Sequence, residues 1–225
     1  MTLIFDLDGT LLNTISDLGM ACNHALAMAG YPTHPIEDYP RLVGNGVNKL
    51  IERALPDSAK TSPAQTKETV LQLRATFIPY YDAHNTERTA PYDGIVETLS
   101  ALKAAGHRMA VASNKYQDAT AKVVNHFFPN VFDVVFGERA HVARKPDPQI
   151  VSDIFAALGQ DAQTQNALYI GDSLVDIATA RNANLPVAAC AWGFVHREQL
   201  EEAQPDYLLD TPQQLIAICS HLEKI

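Results

Sequence analysis

The chain has 225 residues, of which 47% are hydrophobic and 19% charged, so it can bury a substantial core and does not have the composition of a disordered protein. Its 26 acidic and 17 basic residues give a formal net charge of -9. That balance argues against sequence-independent binding of nucleic acid, which needs basic surface to displace counterions.

The cysteines and the first residues of the sequence indicate the cellular compartment in which the protein is expected. Cys22, Cys190 and Cys219 are widely spaced and form no CxxC pair, which favours reduced thiols over a disulfide framework. Residues 1–6 include no basic segment followed by a long apolar one, and no apolar run reaches the roughly 20 residues of a membrane span. We expect a cytoplasmic protein, monomeric or homodimeric, with neither a membrane nor a nucleic-acid partner.

Five short apolar runs predict strands that are buried on both faces of a parallel sheet. They cover residues 3–5, 109–112, 134–136, 167–170 and 187–190. Amphipathic stretches predict helices at residues 95–105, 118–127, 148–158 and 174–182. Strands that alternate with helices predict an α/β fold, a doubly wound parallel sheet of the Rossmann-like kind with right-handed crossovers.

The segment that follows the first strand interrupts this alternation. Residues 18–28, 47–55 and 66–80 have helical periodicity, and no convincing strand lies among them. The simplest interpretation is an all-helical cap domain, residues 15–85, inserted into an α/β core made of residues 1–14 and 86–225.

Polar side chains follow four of the predicted strands, where the carboxyl ends of parallel strands meet at one edge of a sheet. Each of these polar residues also has an ordinary structural interpretation. Ser173, for example, suits a helix N-cap, and Lys145 suits a solvated surface charge. Together they offer carboxylates, a hydroxyl, an amide and one ammonium group, which suit a cation and a phosphate. The set comprises Asp6, Asp8, Ser113, Asn114, Lys145, Asp172, Ser173 and Asp176.

Four segments resemble, in order and spacing, the motifs of the haloacid dehalogenase-like hydrolase superfamily. They are Asp6-Leu7-Asp8-Gly9-Thr10-Leu11, Ser113-Asn114, Lys145-Pro146 and Gly171-Asp172-Ser173-Leu174-Val175-Asp176. The helical insert and its Val43-Gly44-Asn45-Gly46-Val47 segment resemble the cap of the phosphoglycolate phosphatase-like branch. Asn13-Thr14 departs from the Asp-Ser that many relatives carry, so we expect altered hydrogen bonds there and retained chemistry.

This resemblance implies a Mg²⁺-dependent phosphomonoesterase that works through an aspartyl-phosphate. Asp6 would attack phosphorus, and Asp8 would protonate the leaving alcohol and then deprotonate the attacking water. Mg²⁺ would be held by Asp6, the backbone carbonyl of Asp8, and Asp172.

The remaining roles follow from the same resemblance. Ser113, Asn114 and Lys145 would bind the phosphate, and Thr10, Ser173 and Asp176 would support the metal ligands. Gly44, Asn45 and Gly46 would select the substrate, a small phosphorylated metabolite such as 2-phosphoglycolate. A sugar-phosphate mutase of the β-phosphoglucomutase type and a non-catalytic binding module remain alternatives, whereas a dehalogenase is disfavoured because it would lack the second acid, Asp8.

Overall fold

The computed structural model describes residues 1–160 and 166–222 and confirms the predicted parallel sheet. The strands are β1 (Thr2–Phe5), β2 (Leu12–Asn13), β3 (Ala90–Pro91), β4 (Arg108–Tyr116), β5 (Val134–Glu138), β6 (Ala167–Gly171), β7 (Val187–Cys190) and β8 (Tyr207–Leu209). The six strands of the main sheet all run parallel, in the spatial order β5-β4-β1-β6-β7-β8, and β2 and β3 form a separate antiparallel ribbon.

The helices agree with the predicted periodicity, and the structure adds two near the C-terminus that the sequence did not predict, at Arg197–Glu202 and Gln214–Leu222. In the described ranges no helix is both long enough and apolar enough to cross a membrane. The helices are α1 (Ile15–Met28), α2 (Val47–Ala54), α3 (Pro63–His84), α4 (Ile95–Ala104), α5 (Gln117–Phe127), α6 (Gln149–Ala157), α7 (Leu174–Asn182), α8 (Arg197–Glu202) and α9 (Gln214–Leu222), with 3-10 turns at Ile36–Arg41 and Asp57–Ala59.

The strand β1 lies in the middle of the main sheet and is buried on both faces. Leu3 and Phe5 pack into one hydrophobic cluster, and Ile4 packs into the cluster on the opposite face. This alternation follows from the pleat of an extended chain. Because strand order reverses on either side of β1, its carboxyl end is where a doubly wound sheet opens a crevice for a ligand.

The chain divides into two compact units, Met1–Asn13 with Ala90–Ile225, and Thr14–Thr89. In the first unit Asn13 pairs with Ala90, so the chain leaves and re-enters through neighbouring strands. The second unit holds α1, α2 and α3 and is the inserted all-helical cap.

The two ends of this helical unit are joined by the buried carboxylate of Asp17. It accepts hydrogen bonds from the backbone N–H of Arg88 at 3.1 Å and of Thr89 at 2.9 Å, and from the Thr89 hydroxyl at 2.8 Å. Three donors compensate the cost of burying this charge.

Candidate active site

Asp6 directly follows β1, at the carboxyl edge of the main sheet. Its backbone N–H donates to the carbonyl of Ile170 at 2.8 Å, so the sheet pairing continues one residue past the strand and fixes this backbone. The side chain is buried, and its Oδ1 lies 2.8 Å from Nζ of Lys145. Because Lys145 binds Oδ1, the oxygen Oδ2 remains for other chemistry.

Lys145 brings a buried ammonium group to this carboxylate from the loop after β5. Its Nζ also donates to Asp176 Oδ1 and the Ala112 carbonyl, both at 2.8 Å, and lies 3.1 Å from the Tyr169 hydroxyl. Burial alone would lower the pKa of Lys145, but the negative charges of Asp176 and Asp6 outweigh it and raise that pKa. The side chain therefore stays a fixed cation.

Asp172 follows β6 and completes a cluster of three buried carboxylates with Asp6 and Asp176, whose nearest oxygens lie within 4.8 Å of one another. Thr10 donates its hydroxyl to Asp172 Oδ1 at 2.9 Å, and the backbone N–H of Phe194 donates to Oδ2 at 2.8 Å.

Glycines leave the room that Asp172 occupies. A Cβ placed on Gly9 would come within 2.3 Å of Asp172 Oδ2, and one on Gly193 within 2.2 Å of Asp172 Cβ. Gly9 also has a φ of +92°, which L side chains rarely adopt. Two approaching backbone segments thus enclose one carboxylate.

The cluster has a clear electrostatic cost. Burial, assisted by the charges of Asp176 and Asp8 and opposed by Lys145, raises the pKa of Asp6 to about 7. Burial and the charges of Asp176 and Asp6 raise the pKa of Asp172 well above its ordinary value. The repulsion between neighbouring carboxylates is relieved when one of them binds a proton or when a cation binds between them.

Asp176 differs from Asp6 and Asp172 in the number of hydrogen bonds that it accepts, two on each carboxylate oxygen. Oδ1 accepts from Lys145 and, at 3.3 Å, from the Tyr169 hydroxyl. Oδ2 accepts from the Ser173 hydroxyl at 2.5 Å and from the Ser173 backbone N–H at 3.1 Å. Ser173 is the N-cap of α7, so a helix capping box also orients Lys145.

The polar residues after Ala112 lie within β4. Two of the three predicted phosphate ligands, Ser113 and Asn114, are among them, and both are buried. Asn114 uses its amide to hold the backbone of Lys145, with Nδ2 3.1 Å from the carbonyl and Oδ1 3.0 Å from the N–H. Ser113 accepts a hydrogen bond from the backbone N–H of Lys115 at 3.1 Å. Asn114 therefore fixes the loop that carries the lysine, a role that the sequence did not predict.

Asp8 lies two residues beyond Asp6 and pairs with a different lysine. Both of its carboxylate oxygens accept from Nζ of Lys115, at 2.7 and 2.9 Å. The Lys115 side chain is 4% exposed and that of Asp8 15% exposed. The sequence interpretation included no role for Lys115.

Gly44, Asn45 and Gly46 lie in the helical unit, in the turn that precedes α2. Gly44 has a φ of +120° and Gly46 a φ of +80° with ψ at 169°, conformations in which glycine is strongly favoured. Arg53 braces the turn through the carbonyls of Leu42 and Val43, each at 3.0 Å, and through Asn45 Oδ1 at 2.5 Å.

Comparison with known proteins adds the family. The family model described as haloacid dehalogenase-like hydrolase matches residues 3–190, which include β1, β4, β5 and β6 and the polar residues after them. The chain belongs to the haloacid dehalogenase-like hydrolase family.

Several relatives that align over nearly the whole chain are phosphoglycolate phosphatases. A phosphoglycolate phosphatase of Caulobacter vibrioides is 34% identical over 222 residues, covering 96% of this chain and 91% of the relative. One from Vibrio vulnificus is 32% identical and covers 95% and 93%. A crystal structure of a candidate phosphoglycolate phosphatase from Lactobacillus delbrueckii subsp. bulgaricus aligns with a TM-score of 0.87 at 33% identity, covering 95% of each chain. The chain is thus a haloacid dehalogenase-like enzyme that resembles phosphoglycolate phosphatases.

Sequence reasoning about this family member missed several site residues. Lys115 lies two positions after Ser113, so alternation along an extended strand placed both on one side and could have revealed it. The Tyr169 hydroxyl lies inside an apolar run, and Gly193 and Phe194 lie in an irregular loop after β7. No pattern in the sequence indicates that Tyr169, Gly193 or Phe194 contacts the site.

Proposed function

We propose that this chain is a Mg²⁺-dependent phosphomonoesterase that hydrolyses a small phosphorylated metabolite of the 2-phosphoglycolate type. The observation that carries the proposal is Asp6, a buried carboxylate at the end of the central strand, bound through Oδ1 to Lys145 and clustered with Asp172. Phosphoryl transfer depends mainly on positioning and on charge stabilisation, and this arrangement offers both.

In the first step Asp6 attacks phosphorus, forming a bond from a carboxylate oxygen while the bond from phosphorus to the ester oxygen breaks. Asp8 gives its proton to that oxygen, so the alcohol leaves neutral. In the second step water attacks the same phosphorus, Asp8 takes the proton, and Asp6 and inorganic phosphate are released. Asp8 suits both roles because it lies only two residues from the proposed nucleophile, just past a bend at Leu7 at the end of β1.

The donor set fits a hard divalent cation, because the cluster of carboxylates contains oxygen ligands alone. Asp6 and Asp172 have raised pKa values that a cation would relieve, and the backbone carbonyl of Asp8 is the third proposed ligand. Asp176 accepts four hydrogen bonds and is better placed to orient Lys145 than to bind metal. When bound, Mg²⁺ supplies positive charge for the phosphoryl oxygens.

The phosphate oxygens would be held by Ser113, Asn114 and Lys145. Lys145 contributes the fixed charge, and Ser113 a buried hydroxyl. The Asn114 side chain already binds the Lys145 backbone through Oδ1 and Nδ2. Its contribution to phosphate binding would come from the second Nδ2–H or from its backbone N–H.

The proposed substrate follows from the phosphoglycolate phosphatases that this chain resembles over nearly its whole length. The turn formed by Gly44, Asn45 and Gly46 is the proposed specificity element. Glycines without side chains would let a small carboxylate approach the backbone N–H groups of this turn closely.

The test measures phosphate release from a panel of phosphorylated metabolites with Mg²⁺ and after removal of metal by EDTA. We expect turnover that needs Mg²⁺, that is highest on 2-phosphoglycolate, and that the Asp6→Asn variant loses. Isomerised sugar phosphate without free phosphate would indicate the mutase instead. Tight binding without any turnover would indicate a binding module.

A further inference from the structure

A second buried lysine lies beside the acid that is proposed to move the proton. Lys115 is near the end of β4, and its Nζ contacts both oxygens of Asp8 at 2.7 and 2.9 Å. Hydrogen bonds from an ammonium group to a carboxylate are short and charge-assisted, so this contact ties the Asp8 carboxyl group to the end of β4.

The backbone around Lys115 is held from several sides. Its N–H donates to Ser113 Oγ at 3.1 Å, and its carbonyl accepts from the Thr120 hydroxyl at 3.1 Å. A Cβ on Gly137 would come within 2.5 Å of the same carbonyl, so β5 packs closely against this point. Lys115 therefore presents its ammonium group from a rigid strand end.

The two lysines of the site are not equivalent. Lys145 reaches Asp6 and Asp176, whereas Lys115 reaches Asp8. A buried ion pair is weak evidence of a purely stabilising role, because apolar replacement of such pairs is often neutral or stabilising. The division of partners suggests a separate task for Lys115.

We propose that Lys115 is a positioning residue that holds the Asp8 carboxyl in the orientation needed for proton transfer to the leaving oxygen. This role rests on the proposed acid function of Asp8. It differs from phosphate binding, because Lys115 acts through Asp8 and its effect depends on how much help the leaving group needs.

The test compares Lys115→Met with the wild type on an alkyl phosphate and on an acyl phosphate, whose leaving group needs little protonation. The measured quantity is kcat/KM, which covers the first phosphoryl transfer and excludes the later hydrolysis of the aspartyl-phosphate. We expect kcat/KM for the alkyl phosphate to fall by about 10- to 100-fold, part of the contribution of a general acid. For the acyl phosphate, kcat/KM should fall much less.

A double-mutant cycle with Asp8→Asn provides the decisive measurement. If Lys115 acts through Asp8, Lys115→Met should add little loss on the alkyl phosphate once Asp8→Asn is present. Lys115→Arg, which keeps a cation, should recover part of the alkyl activity. Lys67→Met, an exposed lysine of α3, serves as the matched control and should behave as wild type.

Two results would overturn the proposal. Equal losses on alkyl and acyl phosphates would assign Lys115 to phosphate binding or to folding, and additive losses in the cycle would separate it from Asp8. The proposed substrate is tested separately by the wild type on 2-phosphoglycolate, since any alkyl phosphate that the enzyme hydrolyses serves for the Lys115 comparison.

Discussion

At the scale of single residues, Lys145 combines the largest number of interactions in the site. It binds two carboxylates, a backbone carbonyl and the Tyr169 hydroxyl while nearly fully buried. A buried ammonium group is tolerated only when its charge and its N–H groups are matched in this way. Its removal therefore tests both the chemistry and the fold.

The Lys145→Met variant should lose turnover and also stability. It leaves Asp6 and Asp176 buried without their cation, and breaking a buried pair typically costs about 3–5 kcal/mol in the free energy of unfolding. Urea denaturation in the presence of EDTA measures this cost. Lys145→Arg, which keeps the charge, should lose turnover through changed geometry but retain more stability, and equal stability of Lys145→Met and wild type would contradict the prediction.

Gly193 gives a second prediction at this scale. A Gly193→Ala methyl group would lie 2.2 Å from Asp172 Cβ, so either the Asp172 side chain or the loop that carries Gly193 and its Phe194 N–H donor must move. A displacement of about 1 Å in a catalytic group can cost about 10²-fold in rate. We expect a loss of that order in kcat/KM together with a higher Mg²⁺ requirement.

The control for this variant is Gly106→Ala, which has no atom within 4 Å of the new Cβ but a φ of +85°. It should lose stability through backbone strain and keep its Mg²⁺ requirement. A Gly193→Ala enzyme with unchanged kinetics would show that Asp172 can move without consequence.

Sequence could predict which residues stand at strand ends, because apolar runs end abruptly before Asp6, Ser113 and Asp172. It could not predict which lysine pairs with which aspartate. That choice depends on side-chain packing across β1 and β4 and on the path of the loop after β5. The hydrogen bonds from Asn114 to the Lys145 backbone depend on the same path.

At the scale of elements, helix α7 carries part of the site in its first turn. Ser173 caps it and bonds Asp176 Oδ2, and Asp176 in turn holds Lys145. A capping residue is usually an independent contribution to stability. Here the cap and the charge network share atoms, so their effects should not separate.

The Ser173→Ala variant tests this coupling against the Ser62→Ala variant, which removes the N-cap of α3. Each should lower stability by about 1 kcal/mol, the usual cost of an N-cap. Only Ser173→Ala should also lower kcat, because Asp176 loses its hydroxyl donor. Thermal unfolding and steady-state kinetics on both variants check this, and the prediction is wrong if both lose the same fraction of activity.

The turn before α2 supports a prediction about specificity. Substitution of Gly46 is unsuitable as a test because a side chain at its φ and ψ strains the backbone whatever the loop does. Asn45→Ala keeps the backbone unstrained and removes the amide that Arg53 holds. If the turn selects the substrate, kcat/KM should fall on 2-phosphoglycolate and stay nearly unchanged on an aryl phosphate.

Lys49→Met, in the first turn of α2, provides the control for Asn45→Ala because its side chain is exposed and pairs with Glu52. This variant should leave kcat/KM unchanged on both substrates. Equal losses on the two substrates in Asn45→Ala would remove the turn from the specificity elements.

Among the elements, most of the buried strands and the helices between them were predictable, whereas β8, α8 and the nine-residue α9 were not. The strands β1, β4, β6 and β7 each contain a continuous apolar run, which the sequence displays directly. The three-residue β8 and the six-residue α8 are too short to show a period, and they take their form from packing against the sheet. The prediction that the insert is helical was correct because three amphipathic segments occur there in succession.

At the scale of the whole molecule, the acidic balance extends into the site. When all are ionised, Asp6, Asp8, Asp172 and Asp176 outnumber Lys115 and Lys145 by two negative charges. A phosphate dianion would be repelled by such a site. A divalent cation would cancel the excess, so the electrostatics of the site are complete only with metal bound.

Stability should therefore depend on Mg²⁺ and on pH together. The pKa of Asp6 is raised from 3.8 to about 7 in the folded protein, so between these values the metal-free folded state binds a proton that the unfolded chain has lost. By linkage its stability falls as pH rises through that window. Mg²⁺ replaces the proton and should raise Tm more at about pH 8 than at about pH 5.

Thermal unfolding with Mg²⁺ or EDTA at the two pH values measures this difference. The Asp6→Asn variant, which has no carboxyl to titrate at this position, should show a smaller dependence on pH. An equal Mg²⁺ effect at both pH values in the wild type would contradict the linkage.

The position of β1 in the sheet also governs how the molecule acquires its structure. Thr2 lies opposite Arg108 and Ala167, so the partners of the first strand follow it by 106 and 165 residues. Contacts this distant along the chain form slowly. During synthesis the Thr14–Thr89 unit, whose contacts are closer in sequence, can fold while β1 is still waiting for β4 and β6. Asp6, the proposed nucleophile, is thus made before the strands β4 and β6 that flank β1, and it reaches its working environment only after both have been made.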